Sequence, residues 1–156
     1  MVLCEARKVP KDYFGSHLFR HPERLRERLI EGLCQAGDVR LPRLTIVRNL
    51  KGFLRDELDD LFPCETYARV LAHPERIGEN RFPVGRFDHL SFPETDSRRI
   101  VLAVGPEGGW VEPDELDLWD SHNFQAATLG PRVLRSDVAV VALLALAHEA
   151  CRAPES

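Results

Sequence analysis

Strand-like runs alternate with helix-like runs along this chain, which predicts an α/β fold with a mainly parallel sheet. Two further observations agree. The strand-like runs at 100–104 and 125–129 pass directly into glycine-rich turns, Val104 into Gly105 and Leu129 into Gly130, and ligands of such folds gather at the carboxyl ends of strands. The chain has 156 residues, 44% apolar and 29% charged, ordinary values for a globular protein. That length buries roughly 70% of the unfolded surface, so a single domain over 1–156 is expected.

The elements follow in order. Pro22 occupies a first helical position, and Leu25, Leu29, Ile30 and Leu33 make one apolar face at helical spacing until Gly37-Asp38 ends it. Residues 44–47 read as a strand. Phe53, Leu54, Leu58, Leu61 and Phe62 mark a second helix, stopped by Pro63. Residues 68–72 read as a strand, and 75–77 as a short turn. The run at 100–104 precedes a third helix, opened by Pro113. Glu112, Asp114 and Glu115 fall in its first turn, where the helix dipole favours acids, and Leu116, Leu118 and Trp119 form its apolar side. After the run at 125–129, Ser136-Asp137 are expected to cap the last helix. That helix is apolar nearly all round over 138–147, so it must be covered on most sides, inside the fold or by a second subunit.

Composition excludes several classes. Lys and Arg number 21 against 25 Asp and Glu, a net charge of -4. A domain that grips nucleic acid by bulk charge is basic, so any nucleic-acid partner must be met by a local patch. Cys4, Cys34, Cys64 and Cys151 form no Cys-x-x-Cys pair. They read as reduced thiols of a cytoplasmic protein, with no metal site. Met1 is followed closely by Glu5, Arg7 and Lys8, unlike a signal peptide. The longest apolar run, 138–147, falls short of the ~20 residues that cross a bilayer, so no membrane partner is expected.

Two motifs carry chemistry. Gly105-Pro106-Glu107-Gly108-Gly109-Trp110 sets three glycines around a proline. It allows backbone conformations closed to other residues and lets a ligand approach the main chain. No Gly-Lys-Ser/Thr follows, and the G-x-G-x-x-G spacing is absent, so neither nucleotide fingerprint is present. A tight strand-to-helix turn would use the same residues. The second motif is Leu129-Gly130-Pro131-Arg132-Val133-Leu134-Arg135-Ser136-Asp137. Arginine's planar fork suits phosphate or carboxylate recognition; a salt bridge to the acidic third helix is the plainer use of either arginine.

The pair Gly-Pro-Glu-Gly-Gly and Leu-Gly-Pro-Arg-Val-Leu-Arg, in this order near the C-terminus, resembles the RsmE family of SPOUT-class methyltransferases, which methylate N3 of a uridine in small-subunit ribosomal RNA. Residues 7–14, 32–36 and 41–42 are also similar to family segments, so the resemblance covers almost the whole chain. It implies a C-terminal deep trefoil knot, S-adenosylmethionine as cofactor, small-subunit ribosomal RNA as partner, and a homodimer packed at the knot. The implied cofactor contacts are Gly105, Pro106, Glu107, Gly108 and Gly109 in one loop and Leu129, Gly130, Val133, Leu134 and Arg135 in the other. Leu71, Ala72 and His73, at the end of an earlier strand, are expected to flank the adenine, although His73 taken alone reads as a solvated loop histidine.

Arg132 and Arg135 are the expected catalytic groups, stabilising a uracil anion, with a phosphate clamp as the other use of Arg132. The chain departs from the family in three ways. The family's N-terminal RNA-binding barrel is not expected in this chain. Met1 falls about where the catalytic domain's second strand starts, so the domain reads as N-terminally truncated. Asp38 and Asp137 replace the family's Arg and Glu. A non-catalytic knotted cofactor-binding or dimerisation module is the alternative. The glycine set argues against it, on the expectation that only a ligand requires those glycines. With few cations near the site (Arg132 and Arg135, joined by Arg7, Lys8 and Lys11 if the N-terminal segment folds back), binding to free RNA is expected to be weak.

Overall fold

The computed structural model describes residues 1–74 and 84–152, so the turn expected at 75–77 lies outside the described residues. The chain divides into two compact units. One comprises Met1–Glu5 and Val9–Leu50, the other Ala6–Lys8 and the chain from Lys51 on.

In the first unit, β1 (Val2–Cys4) and β2 (Thr45–Val47) pair in parallel, with Leu3 opposite Ile46. Between them lie a short helix α1 (His17–Arg20) and α2 (Pro22–Ala36). The sequence reading missed α1, a single turn whose Phe19 ring packs with those of Tyr13 and Phe14, centroids 5.2–5.5 Å apart. The α2 boundaries are as the sequence predicts, with Pro22 in the first turn. Gly37 adopts φ 66°, and its N–H reaches back to Cys34 O while that of Asp38 reaches Leu33 O, closing the helix in a left-handed cap.

From Leu50 onward the expected second helix is two pieces, α3 (Leu50–Asp56) and α4 (Leu58–Leu61). Glu57 leaves helical geometry at φ -125°. The break accompanies the burial of both Leu54 and Leu58, each 1% exposed. Then come β3 (Ala68–Ala72), β4 (Val84–Arg86), β5 (Ile100–Ala103), α5 (Asp114–Asp120), β6 (Gln125–Thr128) and α6 (Ser136–Ala150). The sheet runs β4-β6-β3-β5 with every neighbouring pair parallel, which bears out the α/β expectation. Three residues with a central Gly85 gave no strand signal, and β4 was missed.

The sheet packs through Val70 and Ala127 against Phe87 and against Leu143 and Ala147 of α6. The cap of α6 differs from expectation. Ser136 is already helical and Arg135 stands at the cap, without a side-chain bond to the helix N-terminus. The rest of α6 is open within one chain: Val138 is 49% exposed, Val141 71%, Leu144 47% and Leu146 40%. Among the described residues no helix is long and apolar enough to cross a membrane, and no cluster of residues could hold a metal ion.

One buried charge organises the second unit. Arg69 on β3 is 2% exposed. Its guanidinium donates to Phe62 O and His122 O and pairs with the exposed Asp59. Arg69→Met would leave two carbonyls without this donor. A loss of about 2–6 kcal/mol is expected, since each orphaned acceptor costs about 1–3 kcal/mol. Urea unfolding measures it; a change under ~1 kcal/mol would show that water replaces the guanidinium.

No disulfide joins the four cysteines; Cys34 and Cys64 are exposed. Burial pushes the Cys4 thiol up to about 11. The thiolate is the reactive form, so iodoacetamide at pH 8 should label Cys34 and Cys64 well before Cys4. Equal labelling of all three in the folded chain would contradict the packing of β1.

Candidate functional site

Strand order places the site. β6 lies between β4 and β3, so β3 is flanked by β5 on one side and β6 on the other. All are parallel, so the carboxyl ends of β5, β3 and β6 open side by side. A ligand crevice in an open α/β sheet lies outside these ends. Here a cavity of about 360 Å³ does, lined by the segments that leave the three strands. From β3 come Ala72, His73 and Pro74. From β5 come Val104 through Trp110, and from β6 Leu129, Gly130, Arg132, Val133 and Leu134, with Ala139 and Leu143 of α6 behind them.

Most of the expected residues therefore meet around one cavity: Ala72, His73, Gly105, Pro106, Glu107, Gly108, Gly109, Leu129, Gly130, Arg132, Val133 and Leu134. Two do not line it. Leu71 lines a second cavity of about 370 Å³ with Leu116 and Phe124, because side chains alternate across a strand and Ala72 takes the other face. Arg135 projects from the start of α6 with its side chain 85% exposed, and Asp137 Oδ1 lies 3.4 Å from its Nε. The acidic α5 takes Arg7 instead, through Asp114. The N-terminal segment does fold back at Arg7 and Lys8.

The glycine loop after β5 is held by protein contacts. Gly109 adopts φ +69° and donates its N–H to Pro106 O at 2.8 Å. A Cβ on Gly105 would sit 3.1 Å from the Trp110 ring, and one on Gly108 would sit 3.0 Å from Lys8 Cδ. Two of the glycines thus make room for side chains of this chain, and the expectation that only a ligand requires them is corrected. Trp110 Nε1–H donates to Ala72 O at 3.3 Å, tying the loop to the end of β3. After β6, Gly130 turns at φ +108°. The Thr128 hydroxyl, 3.1 Å from both Gly130 N and Gly130 O, accepts from the first and donates to the second.

His73 is not the solvated histidine that its sequence setting suggests. It is 7% exposed, its N–H bonds Ala127 O, and its Nε2 lies 3.6 Å from Glu112 Oε1. The ladder between β3 and β6 continues one residue beyond β3 through this backbone bond. Site residues that sequence reasoning missed are Thr128 and Glu112, while Lys8 was expected there only as a cation that could fold back beside the site. Lys8 lies a hundred residues from the loop it touches, and no local pattern signals such a contact. The cavity wall is electrostatically mixed, with Lys8 and Arg132 against Glu107 and Glu112.

An RNA methyltransferase domain model matches residues 1–148, and the chain belongs to that family. It is 27% identical over 139 residues to the ribosomal RNA small subunit methyltransferase E of Treponema pallidum, covering 87% of this chain and 47% of that protein. The ribosomal RNA small subunit methyltransferase E of Neisseria gonorrhoeae, solved with S-adenosylmethionine, superposes with a TM-score of 0.69 at 25% identity, over 91% of this chain and 51% of that one. A Legionella pneumophila protein in complex with the same cofactor gives a TM-score of 0.68 at 23% identity, over 96% and 53%. The resemblance read from the two motifs is consistent with all three. The chain spans about half the length of these relatives.

Gly105→Val should force the Trp110 ring aside. Overpacking of this kind costs about 1–3 kcal/mol, read as a lower melting temperature and a shifted tryptophan emission. An unchanged emission maximum would show that the loop, not the ring, gives way.

Proposed function

We infer that this chain is the cofactor-binding part of an S-adenosylmethionine-dependent methyltransferase that acts on ribosomal RNA, at N3 of a uridine in the small subunit. The observation that carries this reading is the meeting of both glycine turns and the end of β3 around one cavity. Its volume of about 360 Å³ lies within the range of roughly 300–1,000 Å³ for small-ligand sites. Its wall fits the cofactor's chemistry. Ala72, Val104, Leu129, Leu134, Ala139 and Leu143 supply apolar surface, while the glycine turns bring backbone close to the space a ligand would fill. Gly105 through Gly109 and Leu129 through Leu134 are the segments that would hold it, with Ala72 and His73 behind.

The bound cofactor supplies a methyl group already activated on a sulfonium. What remains for the chain is positioning, with reacting atoms held roughly 3–3.5 Å apart, and handling of charge as the uracil imide loses its proton. A fixed cation beside the developing anion serves that end. Arg132 is at the cavity wall and Arg135 is not, so Arg132 is the stronger choice for this role.

The family resemblance adds two parts to the proposal. The segment 129–135 and α6 form the knot, and the exposed face of α6 is covered by a second copy of the chain. Four large apolar residues at 40–71% exposure support the second part.

Titration calorimetry should show one S-adenosylmethionine bound per chain. Absence of binding would remove the cofactor reading. Arg132→Ala should lower the rate of methyl transfer to small ribosomal subunits by roughly 10²–10³-fold, as loss of one oxyanion donor does, and Arg135→Ala by less. The reverse order would move the anion-stabilising role to Arg135. For the dimer, Leu144→Glu should lower the dimer fraction in sedimentation while the single-chain fold persists, because Leu144 is already 47% exposed in one chain. An undiminished dimer would place the interface elsewhere.

A further inference from the structure

The geometry points to Lys8 as the positioning residue that sets the glycine loop of the cofactor site. The inference rests on the cofactor reading above for its functional meaning, but its physical basis lies in the chain alone. Ala6–Lys8 is a three-residue strap that clusters with the second unit although the residues on both sides of it do not. Ala6 is buried at 6% exposure. The Arg7 N–H donates to Glu115 Oε1 at 2.8 Å. The Lys8 ammonium donates to Gly108 O at 2.8 Å and Trp110 O at 3.2 Å. Its stem fills the space that a Cβ on Gly108 would claim, so Lys8 and Gly108 are a matched pair.

These contacts do more than touch the loop. A peptide unit is planar, so fixing its carbonyl also fixes the N–H at its other end. The unit that carries Gly108 O carries the Gly109 N–H, which donates to Pro106 O at 2.8 Å. The unit that carries Trp110 O carries the Val111 N–H, which donates to Glu115 Oε2 at 2.8 Å. Lys8 therefore clamps two peptide units from one side while Pro106 and Glu115 clamp them from the other. Glu115, 6% exposed, also receives the Arg7 N–H, so strap, loop and α5 close into one circuit. An ammonium is suited to this because it has three donors and no acceptor, and its bonds to carbonyls are charge-assisted. Lys8 also lines the cavity itself, so displacing it would change both the loop and the wall.

The test compares Lys8→Met, which keeps the stem and removes the ammonium, with Lys8→Arg, which keeps the charge. Hydrogen exchange of the unliganded chain reads the Gly109 and Val111 amides, and calorimetry reads the affinity for S-adenosylmethionine. In Lys8→Met both amides should exchange at least about tenfold faster and cofactor affinity should fall by a similar factor, the scale of losing a charge-assisted bond. Amides of β3 should keep their protection, and Lys8→Arg should recover most of both losses. Unchanged exchange at Gly109 and Val111 overturns the inference. So does a matching rise in β3, which would show a general loss of stability, or cofactor affinity unchanged in Lys8→Met. If the unaltered chain binds no cofactor, the functional reading falls, and the exchange experiment still decides whether Lys8 sets the loop.

Discussion

Everything at the site depends on one constraint of the sheet: β6 returns to lie between β4 and β3. Had the strands been laid down in sequence order, β4 would sit beside β3 and the glycine turn after β6 would open elsewhere. Because β6 intrudes, the turn at Gly105 and the turn at Gly130 face each other across the end of β3, although twenty-five positions separate them in the chain. Register reinforces this. Ala72 pairs with Ala127 and Leu71 with Ala103, so the three strands end within two residues of one another.

The crevice is shaped by contacts within the chain as much as by any ligand. Small residues in a loop permit two things, unusual backbone angles and close approach. Gly109 and Gly130 use the first, at φ +69° and +108°. Gly105 and Gly108 use the second, and what approaches them is Trp110 and Lys8. The turns are thus held by hydrogen bonds from Trp110, Lys8 and Thr128 before anything binds. A loop ordered in advance spares a ligand the entropy of ordering it. The exposed Arg7–Asp114 pair at the base of the strap contributes little to this, since an ion pair in water is worth about 0–1 kcal/mol.

Legibility in the sequence followed how local each signal was. The helix at Pro22–Ala36 was readable because proline, apolar spacing and a terminal glycine all lie within it. The β3 strand was read to the residue, since Ala68–Ala72 is buried over most of its length. The two glycine motifs were legible as turns after strands, and both line one cavity in the structure. What failed was long-range or short in extent. β4 is three residues around a glycine, too little for any periodicity. No local pattern signals the burial of His73, and the contact of Lys8 with the glycine loop spans a hundred residues. The helix expected across 53–62 is interrupted at Glu57, and no local signal marks the break, since Leu54 and Leu58 would share one face of a continuous helix as well.

The last helix joins the site to the rest of the proposal. α6 presents Leu143 and Ala147 to the sheet and leaves Val138, Val141, Leu144 and Leu146 outward. Full burial of one such side chain is worth about 1.5–3 kcal/mol, and each is already partly covered in one chain, so a partner seated there would gain a part of that from each. The segment that supplies Arg132, Val133 and Leu134 to the cavity runs directly into the first turn of α6. A second copy seated on α6 would therefore restrain the cavity's wall from outside, as Thr128 restrains its base from inside. Were a second copy to seat there, binding at the cavity and association through α6 would act on the same backbone, and any coupling between them would be reciprocal. On this reading the apolar helix does two things: it closes one side of the sheet, and it turns subunit association into order at the loop where the cofactor would sit.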